Sequence, residues 1–273
     1  HAEKSTAPGR GPAACDLPRR ISAAAAVPER RDFEIRRHED YADLPAAKAA
    51  PLADSTPLQA FIDHTLLRPD ATPQDISRLC QEAIANDFYA VCVASSFAKL
   101  ARRKLGNSKV RLACVVGFPH GNGLTAAKLR EARALRDLGC DEIDTVIHLG
   151  ALRARRYDYI LREWSALKRT FQGVVKVILE TGALARDEKI AACTIARHAG
   201  VDFVKTCTGF LSGQATVEDV ALMKAVVGGD LAVKASGGVR DRATALALLG
   251  AGATRIGASS SLNLVGDREK EGT

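Results

Sequence analysis

The chain has 273 residues, enough for one large domain or two small ones. Hydrophobic residues make up 47% and charged residues 26%, the balance of an ordinary globular protein. No apolar run approaches the roughly eighteen residues that would cross a bilayer, so a membrane role is not expected.

The formal charge is +7, yet the basic residues fall along amphipathic stretches such as Ala101-Arg102-Arg103-Lys104 and Arg153-Ala154-Arg155-Arg156. Aromatic residues are few and do not alternate with basic ones, which argues against nucleic acid. A net positive charge favours an anionic small molecule instead.

Residues 1–58 hold seven of the ten prolines and fourteen alanines, with nine basic and nine acidic residues that cancel. No periodicity persists there, so a low-complexity extension, disordered or irregular, is expected over 1–58. Within it, Arg19-Arg20 followed by 21–27 is only a faint likeness of a secretory leader, short and dominated by alanine. One catalytic domain is expected over 59–273.

From residue 59 short apolar runs alternate with longer stretches of helical period. Strands are expected at 61–67, 90–94, 110–117, 142–149, 174–180, 202–207, 231–235 and 254–257. Helices are expected at 72–86, 125–138, 157–171, 187–199, 216–227 and 240–249. Thr72-Pro73-Gln74-Asp75 offers a threonine cap, a proline at the first helical position and a carboxylate in the first turn. Thr216-Val217-Glu218-Asp219 repeats the theme, and Gly139, Gly200 and Gly250 stand where helices stop. Eight such units predict an α/β chain folded as a (β/α)8 TIM barrel. A doubly wound sheet is the rival, but the first strand leads into no glycine-rich dinucleotide loop.

The seven cysteines form no CxxC pair and no Cys/His cluster with metal spacing. No metal centre and no disulfide framework is therefore expected, and a reducing, cytoplasmic setting is the default.

Barrel enzymes carry their reactive groups on inward positions toward the strand C-termini. Polar residues that interrupt apolar strands there are Asp144, Lys176, Lys205 and Lys234. Lysine is seldom fully buried without a partner. Adjacent strands lie about 4.8 Å apart, so Asp144, Lys176 and Lys205 are expected as a row across strands four, five and six. Lys176 has the most apolar neighbours and lies furthest from the C-terminal end of its strand. An amine nucleophile needs its free base, scarce at neutral pH when the pKa is about 10.4. Burial and a second cation, assigned to Lys205, are expected to lower that pKa. This arrangement suits a Schiff-base enzyme, with the Asp144 carboxylate moving protons.

Ser236-Gly237-Gly238 follows strand seven, and Gly257-Ala258-Ser259-Ser260-Ser261 follows strand eight. Barrels often hold phosphate at these two loops, on backbone N–H groups and a helix N-terminus.

Asp63-His64-Thr65-Leu66-Leu67, Val116-Gly117-Phe118-Pro119-His120-Gly121, Glu142-Ile143-Asp144 and Lys176-Val177-Ile178-Leu179-Glu180-Thr181-Gly182 resemble signature segments of the deoxyribose-phosphate aldolases. So do Phe203-Val204-Lys205-Thr206-Cys207-Thr208-Gly209, Lys234-Ala235-Ser236-Gly237-Gly238-Val239-Arg240 and Gly257-Ala258-Ser259-Ser260. The resemblance spans about 59–264. It implies reversible cleavage of 2-deoxy-D-ribose 5-phosphate to glyceraldehyde 3-phosphate and acetaldehyde, with no metal or other cofactor. Lys176 would form the imine, Asp144 would act through water, and Lys205 would perturb Lys176 and join the relay. Thr208, Gly209, Ser236, Gly237, Gly238, Gly257, Ser259 and Ser260 would surround the phosphate, with Asp63, Cys92 and Lys234 in support. The partner is then a small phosphosugar, and a homo-oligomer is left open.

Two departures stand out. His148 occupies a position where the family commonly has asparagine, which would alter contacts at the mouth, and the 267–273 tail lacks the tyrosine that some members use in proton transfer. His64 and His120 are read as holding loops, and His198 as favouring a helix C-terminus. Two other readings remain: a Schiff-base barrel aldolase for a different phosphosugar, and a sugar-phosphate binder without catalysis. The binder would not need Asp144, Lys176 and Lys205 together.

Overall fold

The computed structural model describes residues 52–266 apart from Asp54. The expected extension up to residue 51, Cys15 and the 267–273 tail therefore lie outside the described residues.

Eight strands close into a barrel in chain order: β1 (Ile62–Leu66), β2 (Ala90–Val93), β3 (Arg111–Val116), β4 (Glu142–Val146), β5 (Val174–Ile178), β6 (Phe203–Lys205), β7 (Ala232–Ser236) and β8 (Arg255–Ala258). All neighbours run parallel, and the last seam pairs Ile62 with Ile256 and Asp63 with Gly257. This is the TIM barrel expected from the unit count.

The helices are α1 (Pro73–Ala85), α2 (Ala98–Leu105), α3 (Thr125–Asp137), α4 (Leu149–Arg153), α5 (Tyr157–Phe171), α6 (Arg186–Ala199), α7 (Val217–Val227), α8 (Arg242–Gly250) and α9 (Ser261–Val265). Helix α1 starts as its sequence dictates. The Thr72 hydroxyl accepts from the Asp75 N–H at 3.2 Å, and the Asp75 carboxylate accepts from the Thr72 N–H at 3.0 Å. The layer between barrel and helices is apolar, with Trp164, Phe171, Ile190, Val220 and Met223 all buried.

Two differences from the sequence reading have plain causes. Helices α2, α4 and α9 span eight, five and five residues, too short for a 3.6-residue period to show. Strand β4 stops at Val146 rather than at 149, because His148 leaves the strand to cap α4. Its Nδ1 accepts from the Ala151 N–H at 3.2 Å.

One buried clamp fixes β4 from outside. The Lys128 ammonium on α3 donates to Glu163 Oε1 on α5 at 2.6 Å and to the Val146 carbonyl at 3.1 Å. Gly117 lies over the Lys128 stem with φ +61°, where a Cβ would stand 2.8 Å from Lys128 Cε.

Candidate active site

Strand alternation turns every second residue inward, and the inward residues here are charged where a barrel core is usually apolar. Asp144 and Lys176 are paired in register across β4 and β5. Lys205 is level with Ile178, two residues beyond Lys176, and with Lys234 on β7. The straight row expected across three strands is thus staggered. The side chains converge all the same, because long stems reach across the stagger.

Asp144 is the hub. Its Oδ1 accepts from Lys176 Nζ at 2.8 Å, and its Oδ2 accepts from Lys205 Nζ at 2.7 Å and Lys234 Nζ at 2.8 Å. Lys234 also donates to Asp63, whose other oxygen accepts from Arg255 at 2.7 Å. Asp63, Asp144, Lys176 and Lys234 are all 0% exposed. Charges buried this deeply persist only when paired.

Glu142 and Arg255 complete the cluster, and neither is among the site residues read from the sequence. Glu142 lies 2.5 Å from Lys176 Nζ and 3.3 Å from Arg255. The signal for both was parity: Glu142 shares the inward face of β4 with Asp144, and Arg255 that of β8 with Gly257. Four cations thus meet three carboxylates.

Electrostatics correct one expectation. Burial pushes the Lys176 ammonium toward its neutral form, but the Asp144, Asp63 and Glu142 carboxylates outweigh it, and its pKa stands above the ordinary 10.5. Lys234, rather than Lys205, is the foremost cation opposing them. Burial likewise disfavours the Asp144 carboxylate, yet Lys176, Lys205 and Lys234 hold its pKa well below the ordinary 3.8. Asp63, also against its burial, is held at about 2 by Lys234, Lys176 and Arg255. Lys234 is raised, its two carboxylates overcoming burial. Cys92 faces this cluster from β2, with burial pushing its thiol up to about 11.

The loops named for phosphate divide into two groups. Thr208 is committed elsewhere: its N–H donates to Glu180 at 3.2 Å, and its hydroxyl donates to the same carboxylate. Ser236 is committed too, its N–H to Thr206 at 2.9 Å and its hydroxyl to the Cys207 carbonyl at 2.7 Å. Both therefore shape the loops expected to surround the phosphate. Gly209 and Gly238 are exposed at the mouth, Gly237 is half-buried, and all three have positive φ. Ser259 is exposed and Ser260 precedes α9. Gly257 does a different job: a Cβ there would come within 3.0 Å of Lys234 Cε and of Ser236 Cβ, so its bareness makes room for the buried lysine.

His64 turns outward and bonds Glu82 on α1 at 2.8 Å, tying strand β1 to that helix rather than holding a loop. No group of three or more His, Cys, Asp or Glu side chains placed to hold a metal ion occurs among the described residues. No helix among them is long and apolar enough to cross a membrane.

A closed parallel barrel thus surrounds a buried lysine–carboxylate cluster, and the class to which its relatives assign it is that of the carbon–carbon lyases. A model of the DeoC/LacD family aldolases matches residues 58–265, and the chain belongs to that family. It is 45% identical over 241 residues to a deoxyribose-phosphate aldolase of Thermotoga petrophila, covering 87% of this chain and 96% of the relative. It is 50% identical over 210 residues to one of Thermococcus gammatolerans, covering 75% and 93%. A tetrameric deoxyribose phosphate aldolase from Aeropyrum pernix superposes with a TM-score of 0.69 at 32% identity, covering 77% of this chain and 91% of the other.

Proposed function

We propose that this protein cleaves 2-deoxy-D-ribose 5-phosphate reversibly to D-glyceraldehyde 3-phosphate and acetaldehyde through a Schiff base on Lys176. The observation that carries the reading is a fully buried lysine with its Nζ 2.8 Å from a carboxylate, in a chain of this aldolase family.

The chemistry follows from the groups present. Neutral Lys176 adds to C1 of the open-chain sugar, and loss of water leaves an iminium. The iminium withdraws electrons as the C3 hydroxyl gives up its proton through water to Asp144, and the C2–C3 bond breaks. Glyceraldehyde 3-phosphate departs, the enamine is protonated at C2, and hydrolysis frees acetaldehyde and the amine. Lys205 and Lys234 hold Asp144 ionised in its buried place, so that it receives protons only in passing. The backbone at Gly237, Gly238 and Gly209 and the Ser259 and Ser260 hydroxyls surround the phosphate.

Such a reaction belongs to the breakdown of deoxyribonucleotides in the cytoplasm. Six buried free cysteines among the described residues suit that reducing setting. The tetramer of the Aeropyrum relative supports self-assembly here as well.

The test is reductive trapping. Borohydride added with deoxyribose 5-phosphate or acetaldehyde is expected to leave a covalent adduct on Lys176, located by peptide mass spectrometry. Lys176→Arg removes the adduct, because a guanidinium stays protonated. An adduct on Lys205 or Lys234 would move the assignment while keeping the mechanism. Turnover without any lysine adduct would overturn it.

A further inference from the structure

The cluster contains a carboxylate that the reaction as written does not use. Glu142 is 0% exposed and lies two residues before Asp144 on the same face of β4. Its Oε2 stands 2.5 Å from Lys176 Nζ, against 2.8 Å for Asp144 Oδ1. On its far side Glu142 meets Arg255 at 3.3 and 3.4 Å, and Arg111 at 3.8 Å. Arg111 is half exposed on β3, while the Arg255 guanidinium stacks 3.4 Å from the centre of the Tyr89 ring.

We propose that Glu142 is a positioning residue of the reaction, the anchor that seats the Lys176 ammonium in the free enzyme and whose grip must be released before the amine attacks. The proposal rests on the Schiff-base reading above.

An ammonium has three hydrogens to donate. One is donated to Asp144, while Glu142 forms an ion pair with the same ammonium at 2.5 Å and the Phe203 ring centre lies 5.9 Å away. Every other charged group that faces the pair is accounted for: Asp63 from β1, Lys205 from β6, Lys234 from β7, and Arg255 from β8. Asp144 divides its charge among three lysines at 2.7 to 2.8 Å. Glu142 has one close lysine and two looser guanidinium partners, so Lys176 is its nearest cation. It therefore helps to hold the ammonium charged, after Asp144 and Asp63, which raise the Lys176 pKa more.

The acid limb of log kcat/KM against pH reports the free-enzyme group that must lose its proton, here Lys176. Removing a neighbouring negative charge makes an ammonium more acidic. Glu142→Gln is thus expected to move that limb to lower pH by about one unit, the low end for an opposite charge in contact. Glu142→Asp keeps the charge and stays closer to the native limb than Glu142→Gln does. Arg111→Met removes a competing cation from a half-exposed position, so Glu142 bears harder on Lys176 and the limb moves to higher pH.

A Glu142→Gln enzyme that loses kcat/KM equally at every pH, with the limb unmoved, would make Glu142 merely structural and overturn the proposal. Should that variant fail to fold, Arg111→Met decides, since an unmoved or lowered limb there overturns it equally. Trapping on the native enzyme separates the role of Glu142 from that of Lys176. An adduct on Lys176 with unshifted limbs defeats the Glu142 proposal alone, whereas active native enzyme without a Lys176 adduct defeats the Schiff-base reading beneath it.

Discussion

In the proposed reaction Lys176 must be neutral, yet Asp144 and Glu142 both hold it as an ammonium. Lys234 works against them together with burial, and its removal would strengthen their hold. Lys234→Met is therefore expected to shift the acid limb of kcat/KM to higher pH, a sign set by removal of a neighbouring cation. It also strips a partner from buried Asp63 and Asp144, and breaking buried pairs of this kind costs about 3–5 kcal/mol, readable by denaturant unfolding. The carboxylates give a second pH dependence. A carboxyl whose folded pKa lies below its unfolded one stabilises the fold above the unfolded value and loses that contribution as pH falls through the folded one. For Asp63 the window runs from 3.8 down to about 2, so the melting temperature should fall steeply below pH 3.8. A melting temperature indifferent to pH across that window would contradict the pairing. At this scale Asp144 and the three lysines could be read directly, because a charge in an apolar strand is conspicuous. Glu142 and Arg255 sit at strand starts, where a charged residue passes for an exposed end. Parity with Asp144 and Gly257 turns them inward, and the strand registers bear that out.

Among the elements, β4 carries the hub and is held from two sides. Inside, Asp144 ties it to β5, β6 and β7. Outside, Lys128 ties the Val146 carbonyl to Glu163, two residues from Asp144. Lys128→Met would leave the Glu163 carboxylate buried with the Thr125 hydroxyl at 2.6 Å as its remaining partner. A loss of about 3–5 kcal/mol is expected, with kcat lowered although no substrate atom is touched. Unchanged kcat in a folded Lys128→Met would show that β4 needs no outer clamp. The same strand explains His148. Asparagine and a histidine Nδ1 both accept from a helix N–H, so the exchange at this position keeps the cap on α4. His148→Ala should cost about 1 kcal/mol, the usual worth of a cap. The eight strands could be read because apolar runs recur between capped helices. Their ends could not, since the chain leaves β4 for a cap within residues that still look apolar.

For the whole molecule, the barrel closes between Ile62 and Ile256, using only residues beyond the proline- and alanine-rich stretch. A chain beginning at Leu52 should therefore melt and turn over like the full protein, measured by calorimetry and acetaldehyde release. A large loss in either would give the first 51 residues a role in the fold. The closing seam has a consequence of its own. Asp63 on the first strand meets Lys234 and Arg255 on the last two across 171 and 192 residues of sequence. The site is thus also the clasp of the barrel, and contacts so distant along the chain form late. During refolding from urea, helical circular dichroism should return ahead of turnover, since six or seven strands can order without completing a working site. A protease that samples an opened seam would meet an inactive enzyme. The barrel announces its closure through catalysis.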